Sequence, residues 1–566
     1  MTYATEYLRW RESDLLTAAQ RQELLDLTDE GEIQDRFYRA LSFGTSGLRG
    51  VMGMGLNRMN EYIIRQAADA FARVILERGQ AEKGVCICFD CRHNSRKFAE
   101  EAAHMMRARG IPVYLFQNCR PTPQLSFAVR HFGAAAGINV TASHNPKEYN
   151  GFKAYWQGGL PLNDEQAGWV AEQMDRLDPL SPRPACDDPA PLTWLDEAFD
   201  APYIEAVLQS AVAPEHLRQE GFKVVYSAFH GVGGVIVPQV LAQAGLRELI
   251  PVPEQFAPDG DFPTLISPNP EDPRGFDRAI ALAKQENADL IIGTDPDSDR
   301  VAMVAKDRAG NYIPISGNRT GALLIHYLLT VGKEKGKLPP HPALVKTIVT
   351  SPLPRVIAEA KGCLCRDTFT GFKYLAAEAD RLNRETEYRY VLAFEESIGY
   401  MVGDHARDKD GVVGALLLCE LAGWYRSRGM TVPDGLEALW QEYGCFSEVT
   451  RSVMLPGQDG MERMAAIMAG LRKTPLTEIG GTAVRAWRDY GCGRRYAGDT
   501  VTDLELSGSN VVLYELESGE TLVVRPSGTE PKIKIYALMQ GENQADADSR
   551  ATACALDAET RILAIR

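Results

Sequence analysis

The chain has 566 residues, 45% hydrophobic and 24% charged, with 61 Lys and Arg against 76 Asp and Glu and a formal charge of −15. That length exceeds one hydrophobic core and predicts about three to five domains, and the composition is that of a globular protein rather than a disordered one. The acidic excess argues against a nucleic-acid or anionic-membrane surface, so positive charge for any phosphate ligand has to be concentrated locally.

The 11 cysteines are an odd number in a chain whose start, Met1-Thr2-Tyr3-Ala4-Thr5-Glu6, lacks the basic and apolar segments of an export signal. Cytoplasmic location and free thiols are therefore expected. Cys86 and Cys88 alternate along Val85 to Phe89, and Cys363 and Cys365 repeat the spacing. Neither pair has the gap of a zinc ribbon, so both read as small buried hydrophobes. No apolar run is long enough to span a bilayer.

Residues 1–40 read as polar helices with Leu15, Leu16, Leu24 and Leu25 on an apolar side, a leader packed on the first domain. The segment Phe43 to Gly50 (FGTSGLRG) is rich in glycine and carries Arg49, a composition suited either to an anion-binding loop or to a flexible connector. Ile63, Ile64, Ala67, Ala68, Phe71, Val74 and Ile75 form a helical face ending at Gly79. A strand at Val85–Phe89, a helix from about Lys97 to Arg109 and a strand over 111–116 follow. This alternation predicts α/β layering with crossover connections.

The apolar run Ala134 to Val140 is a further strand, and it delivers Thr141-Ala142-Ser143-His144-Asn145-Pro146, continued to Lys153. A serine at a strand's carboxyl end, beside a histidine and upstream of a lysine, suits a nucleophile or phosphate carrier. A plain polar turn uses the same residues.

The Pro- and Asp-rich stretch 177–191 places a boundary near 200. A second alternating unit starts at Phe222–Tyr226. Its glycines, Gly231, Gly233 and Gly234, are followed by Ile236, so no dinucleotide fingerprint forms; the 53–58 segment fails in the same way and a Walker A loop is absent. The strand 289–292 leads into Asp295, Asp297 and Asp299, alternate carboxylates able to converge on one hard cation. Arg300 and Lys306 stand where a calcium loop needs Gly and Glu. An acidic solvated turn is the alternative.

A third unit contains Thr370-Gly371-Phe372-Lys373 and a strand 388–393 that delivers Phe394-Glu395-Glu396-Ser397-Ile398-Gly399-Tyr400. Adjacent acids cannot flank a glycosidic bond, but they can hold vicinal hydroxyls. The run Asp404 to Asp410 carries Arg407 and Lys409, which either face phosphate or belong to a solvated charge run. The last unit offers strands near 445–455, 510–514, 521–525 and 532–538 and a helix from about 543. Arg525-Pro526-Ser527-Gly528-Thr529 combines a guanidinium, hydroxyls and a glycine backbone, suited to a phosphate monoester. The expected fold class is therefore α/β: four domains, three α/β units with mixed sheets (1–200, 201–315, 316–434) and a C-terminal α+β domain with an antiparallel sheet (435–566).

Five segments in order (43–50, 141–146, 293–300, 395–397 and 525–531) resemble the motifs of the α-D-phosphohexomutase family, and together they span most of the chain. The resemblance implies phosphate carried on Ser143, with His144, Lys153 and Arg49 as its catalytic neighbours. It implies Mg²⁺ held by Ser143, Asp295, Asp297 and Asp299. It assigns Thr45, Ser46, Arg300, Gly371, Lys373, Glu395, Ser397, Arg407 and Lys409 to the substrate, and Arg525, Ser527, Gly528 and Thr529 to its existing phosphate. The implied reaction passes phosphate from Ser143 to a sugar hydroxyl, turns the bisphosphosugar end for end, and returns the other phosphate to Ser143. The 394–410 region is more similar to α-phosphoglucomutases than to phosphomannomutases, so glucose 1-phosphate and glucose 6-phosphate are the expected pair, with glucose 1,6-bisphosphate as intermediate and activator. Phosphopentose and phosphomannose remain alternatives. So do a phosphosugar phosphatase and a non-catalytic phosphosugar-binding protein, although the latter needs neither the serine nor the aspartates.

Overall fold

The computed structural model describes residues 2–45, 47–455, 459–527 and 531–565. Ser46, Gly528 and Thr529, three of the expected substrate contacts, lie outside the described residues.

The first sheet runs, edge to edge, Leu48–Val51, Tyr149–Trp156, Ala136–Val140, Val85–Phe89, Val113–Phe116 and Leu192–Leu195. Its last four strands are parallel, and the first two pair antiparallel. Val85–Phe89 and Ala136–Val140 are buried at every position, as strands covered by helices on both faces must be. Helix Glu61–Glu77 covers one face, and its start is fixed by Asn60, whose side chain accepts from the Tyr62 and Ile63 amides. Cys86, Cys88, Cys363 and Cys365 are buried free thiols, and burial raises the pKa of each.

The N-terminal leader consists of three helices, Tyr3–Arg11, Ala18–Leu25 and Glu30–Phe37. They dock through Trp10, Leu16, Leu24 and Phe37, while Leu15 and Leu25 remain 39% and 49% exposed. The expected four-leucine side does not exist as one face, because the break after Arg11 re-aims the chain and the aromatic rings supply the larger contact area.

The second sheet has the order Tyr312–Ile315, Val301–Lys306, Leu290–Thr294, Lys223–Ser227, Glu248–Pro251, and the third Leu364–Thr368, Pro342–Thr347, Arg389–Glu395, Gly399–Met401. Both are mixed. The C-terminal sheet is antiparallel throughout and has eight strands, closed by helix Gln544–Ala564 packed on Cys445–Met454 and Lys532–Gly541. The expected class, three α/β units with mixed sheets and an antiparallel α+β unit, is borne out. Four strands of the last sheet had no signal in sequence: Glu478–Ile479, Thr482–Asp489, Arg494–Ala497 and Thr500–Asp503. Three are of four residues or fewer, and the longer Thr482–Asp489 carries Arg485, Arg488 and Asp489 among its apolar residues, so no clean apolar alternation marks them.

One apolar core runs continuously from Tyr203 to Phe446 and joins the second and third units. The first and last units have cores of their own, and a smaller cluster (Ile348, Val349 and Phe369 against Tyr490, Val511 and Tyr536) ties the third to the fourth. Strands Ala136–Val140, Leu290–Thr294 and Arg389–Glu395 each end in a chemistry-bearing loop, and Thr521–Pro526 carries Arg525. Carboxyl ends of strands are where open α/β sheets gather ligands. Among the described residues no helix is long and apolar enough to cross a membrane.

Candidate active site

The four loops line one cleft of about 720 Å³, within the usual range for small-molecule sites. At its floor is Ser143, 3% exposed. Its backbone has φ +52°, a left-handed conformation that costs a non-glycine residue about 1–3 kcal/mol and persists only where neighbours enforce it. Those neighbours are visible. The Ser143 amide donates to Thr141 Oγ1 at 2.8 Å, and the Thr141 hydroxyl donates to Asp90 Oδ2 at 2.6 Å. Arg92 donates to four carbonyls of the loop, those of Ser143 (2.5 Å), Asn145 (2.5 Å), Pro146 (2.8 Å) and Tyr149 (3.2 Å). Its guanidinium also lies 3.1 Å from Asp90, with both side chains fully enclosed.

The Ser143 hydroxyl donates to Asp295 Oδ2 at 2.8 Å and lies 3.3 Å from His144 Nδ1. Burial, helped by Arg300 and Arg49, holds the His144 pKa well below the ordinary value, so the imidazole is neutral near pH 7. Arg49 sits on strand Leu48–Val51 and reaches Asn145 Oδ1 at 2.8 Å. The strand is possible only because Gly47 has φ +74°, with its missing Cβ pointing at the Phe152 carbonyl, 1.7 Å away. Lys153 sits on strand Tyr149–Trp156 rather than in the loop, and that strand aims its ammonium at Asp297 (2.6 Å) and Asp299 (3.1 Å). Burial would lower its pKa, but the two carboxylates outweigh burial and raise it.

Asp295, Asp297 and Asp299 present one carboxylate oxygen each within 4.8 Å of one another, and none is more than 1% exposed. Burial, then repulsion from Asp297 and Asp299, pushes Asp295 well above the carboxylate range. Burial pushes Asp297 the same way, but the Lys153 ammonium overrides it and Thr122 adds a hydrogen bond, so its pKa falls. The Thr122 hydroxyl donates to Asp297 Oδ2 at 2.7 Å, and Thr122 opens helix Thr122–Phe132, whose positive end favours a carboxylate. Among the described residues Asp297 Oδ1 and Asp299 Oδ1 have no hydrogen-bond partner, although Arg300 Nε lies 3.8 Å from the latter. Three enclosed carboxylates, two of them with an oxygen left without a hydrogen bond, make an all-oxygen donor set that fits a hard divalent cation.

Above this floor lie Thr45, Arg300, Gly371, Lys373, Glu395, Ser397 and Lys409, and on the C-terminal unit Arg525 and Ser527. Ser397 Oγ donates to Glu395 Oε1 at 3.1 Å, and Arg300 holds the Ser397 carbonyl at 3.1 Å. Lys409 stands 3.3 Å from Asp299 and 3.1 Å from Asp408. Arg407 is not brought to the cleft. Its side chain is 2% exposed and pairs with Asp380 at 3.1 Å and with Asp404, because its amide is tied to Ser126 Oγ and the side chain turns toward the helix Phe372–Glu385. Nor is the 404–410 run a solvated face, since Asp408 and Asp410 are 3% and 1% exposed.

Several cleft residues went unread in the sequence: Tyr155, Glu271, Asp408, Lys534 and Tyr536, whereas Glu396, read there as one of two adjacent acids, does line the cleft. Lys534 is the cross-strand partner of Arg525, so strand register alone would have found it. Burial, reinforced by Glu395, pushes Glu396 up to about 7.

Comparison with known proteins agrees with this architecture. Family models described as phosphoglucomutase/phosphomannomutase, alpha/beta/alpha domains I, II and III match residues 40–180, 201–310 and 316–443. A phosphoglucomutase of Staphylococcus epidermidis is 35% identical over 511 residues, covering 89% of this chain and 92% of its own. One from Staphylococcus aureus is 34% identical over 522 residues, covering 90% and 92%. Among solved structures, a Paramecium parafusin (phosphoglucomutase) superposes with a TM-score of 0.67 at 17% identity, over 93% of this chain and 95% of that one. A phosphoglucomutase/phosphomannomutase family protein of Burkholderia thailandensis gives 0.64 at 19% identity, over 92% and 96%. These two likenesses speak to the fold.

Proposed function

The chain belongs to the phosphoglucomutase/phosphomannomutase family, and from that premise we propose that it interconverts glucose 1-phosphate and glucose 6-phosphate through a phosphorylated Ser143. The observation that carries the reading is the placement of the Ser143 hydroxyl, 2.8 Å from Asp295, at the floor of a cleft that also holds Glu395, Ser397, Arg525 and Ser527. The full-length relatives named phosphoglucomutase support glucose as the sugar.

In this mechanism the Oγ–P bond of phosphoserine breaks as a sugar hydroxyl oxygen forms its own bond to phosphorus, and the proton of that hydroxyl leaves. His144 and Lys153 are the adjacent groups able to manage proton and charge, one neutral and one held cationic. Arg525 and Ser527 anchor the phosphate at the far end of the sugar, and Glu395 and Ser397 orient its hydroxyls. The glucose 1,6-bisphosphate so formed turns over in the cleft, and its second phosphate is delivered to Ser143. Asp295, Asp297 and Asp299, with an oxygen on Ser143, would hold Mg²⁺. When bound, that cation offsets charge on the phosphoryl oxygens.

Two measurements test the reading together. Intact-mass analysis of fresh protein is expected to show a species heavier by one phosphoryl group, mapping to the peptide with Ser143. Ser143→Ala is expected to lose that species and bring mutase turnover, assayed with trace bisphosphate, down to background. Full activity in Ser143→Ala overturns the mechanism. Release of inorganic phosphate as fast as isomerisation replaces mutase with phosphatase.

A further inference from the structure

A second cavity, of about 620 Å³, lies apart from the cleft, where the first three units meet. Its apolar walls come from helix Thr122–Phe132 (Phe127), from the loop after helix Gly317–Glu334 (Leu338) and from the chain leaving strand Gly399–Met401 (Val402). Its charged lining is Arg130, Lys337 and Asp404, one more cation than anion, with the imidazoles of His131 and His405. On a chain of net charge −15 this is a local reversal of sign.

His405 lies at one corner. It is 9% exposed, its Nε2 pairs with Asp410 Oδ2 at 2.8 Å, and its buried Nδ1 has no hydrogen-bond partner among the described residues. Nε2 donates to the Asp410 carboxylate, and Nδ1 is enclosed behind the cavity wall against Gly403 rather than open to the chamber. Gly403, with φ +81°, brings the backbone so close that a Cβ there would lie 2.3 Å from Ser210 Oγ and 3.0 Å from His405 Nδ1. Ser210, Gly403 and His405 thus form a polar corner in a largely apolar chamber, as small-molecule sites do.

The corner is also the start of the loop that reaches the active site. Asp404 accepts from Arg130 at 3.2 Å. Four residues on, Asp408 accepts from the Tyr155 hydroxyl at 2.7 Å and pairs with Lys409, which stands 3.3 Å from Asp299. Asp410 closes the loop by capping helix Gly411–Arg426 through the Val412 and Val413 amides. We propose that this cavity binds a small organic anion with an aromatic or apolar body, and that occupancy alters Lys409 at the cleft through residues 404–410. The anion sits on Arg130 and Lys337, competing with Asp404 for the Arg130 guanidinium. Such coupling is reciprocal, so substrate and effector change each other's affinity by the same factor.

The probe for the test is 1-anilinonaphthalene-8-sulfonate, which has a sulfonate and two aromatic groups. Fluorescence titration of the full-length protein is expected to show saturable binding that saturating glucose 1-phosphate does not abolish. Two variants isolate the cavity, Arg130→Gln removing a charge-assisted contact and Ala206→Trp filling the chamber beside it. Each is expected to weaken binding at least about tenfold. Bound probe is expected to change kcat/KM of the wild type and to leave Ala206→Trp unaffected. Absence of saturable binding, or equal binding by wild type and both variants, overturns the site. Binding without any change in kcat/KM overturns the coupling. Because binding is read by fluorescence, a failure here is distinct from a failure of the mutase reading.

Discussion

Arg92 touches no position a substrate can reach, yet it gathers four carbonyls of the loop that carries Ser143. It is a positioning residue, and the left-handed backbone of Ser143 is what it holds in place. Arg92→Ala is expected to lower kcat about 10–100-fold, the cost of misplacing a reacting group by about an ångström, with a smaller change in KM. Arg92→Lys is expected to rescue only part, because an ammonium lacks the planar fork. Steady-state kinetics with phosphoserine occupancy by mass separates this from a merely structural role, and an unchanged kcat in Arg92→Ala refutes it. A second residue-scale prediction concerns the cation. Asp297→Asn keeps the shape but removes one of three carboxylates that converge within 4.8 Å. Calorimetric titration with Mg²⁺ is expected to show at least about tenfold weaker binding than wild type, and chelation is expected to silence the wild type reversibly. Equal Mg²⁺ affinity in both proteins rejects the assignment.

The C-terminal sheet shows how one element is held together. Strands Thr482–Asp489 and Arg494–Ala497 place Arg488 directly opposite Arg495, a like-charge pair that destabilises a sheet on its own. Glu515, on strand Val512–Leu516, resolves it by accepting from Arg495 at 2.9 and 2.8 Å and from Arg488 at 2.7 Å. Those bonds, Arg495 first, hold the Glu515 pKa at about 2 against an ordinary 4.5. A depressed carboxylate stabilises the fold fully above its unfolded pKa and loses that contribution as pH falls through its folded one. Glu515→Gln is therefore expected to melt below wild type at pH 7, with the gap shrinking as pH falls below about 4.5. Thermal scans across that range check it, and a gap that widens on acidification contradicts it.

At the scale of the whole molecule, helix Gly411–Arg426 is the joint. It belongs in sequence to the third unit, yet it packs against helices Gly233–Ala244 and Asp200–Leu208 and strand Val301–Lys306 of the second. All but its last residue are buried, as expected of a helix apolar on nearly every side. Its one charge within that surface, Glu420, accepts from the Val212 and Ala213 amides at 3.0 and 3.1 Å and from the Tyr327 hydroxyl at 2.9 Å. Glu420→Leu strands these donors, at about 1–3 kcal/mol each, and is expected to lower the melting temperature by several degrees. Glu420→Gln keeps an acceptor and is expected to recover most of the loss. Calorimetry of the three proteins decides, and a Leu variant as stable as wild type refutes the account.

The local parts are legible in the chain alone. Val85–Phe89 was legible to the residue because a strand covered on both faces reads as an uninterrupted apolar run, and Ser143, the three aspartates and Glu395 were legible because each follows such a run. The fold class followed from the alternation of those runs with helical periods. What lies across from what is settled by packing between distant segments. Lys153 was visible as a lysine, but its contact with Asp297 depends on two strands of different sheets. Arg407 and Lys409 look alike in a charged run, and packing against Ser126 and Asp380 buries one while leaving the other in the cleft. Arg92, Lys534 and Glu420 carry no motif, since their roles rest on register and enclosure. Periodicity is a property of neighbours in the chain, whereas charge pairing and burial are fixed by residues up to hundreds of positions apart, and no local pattern encodes that distance.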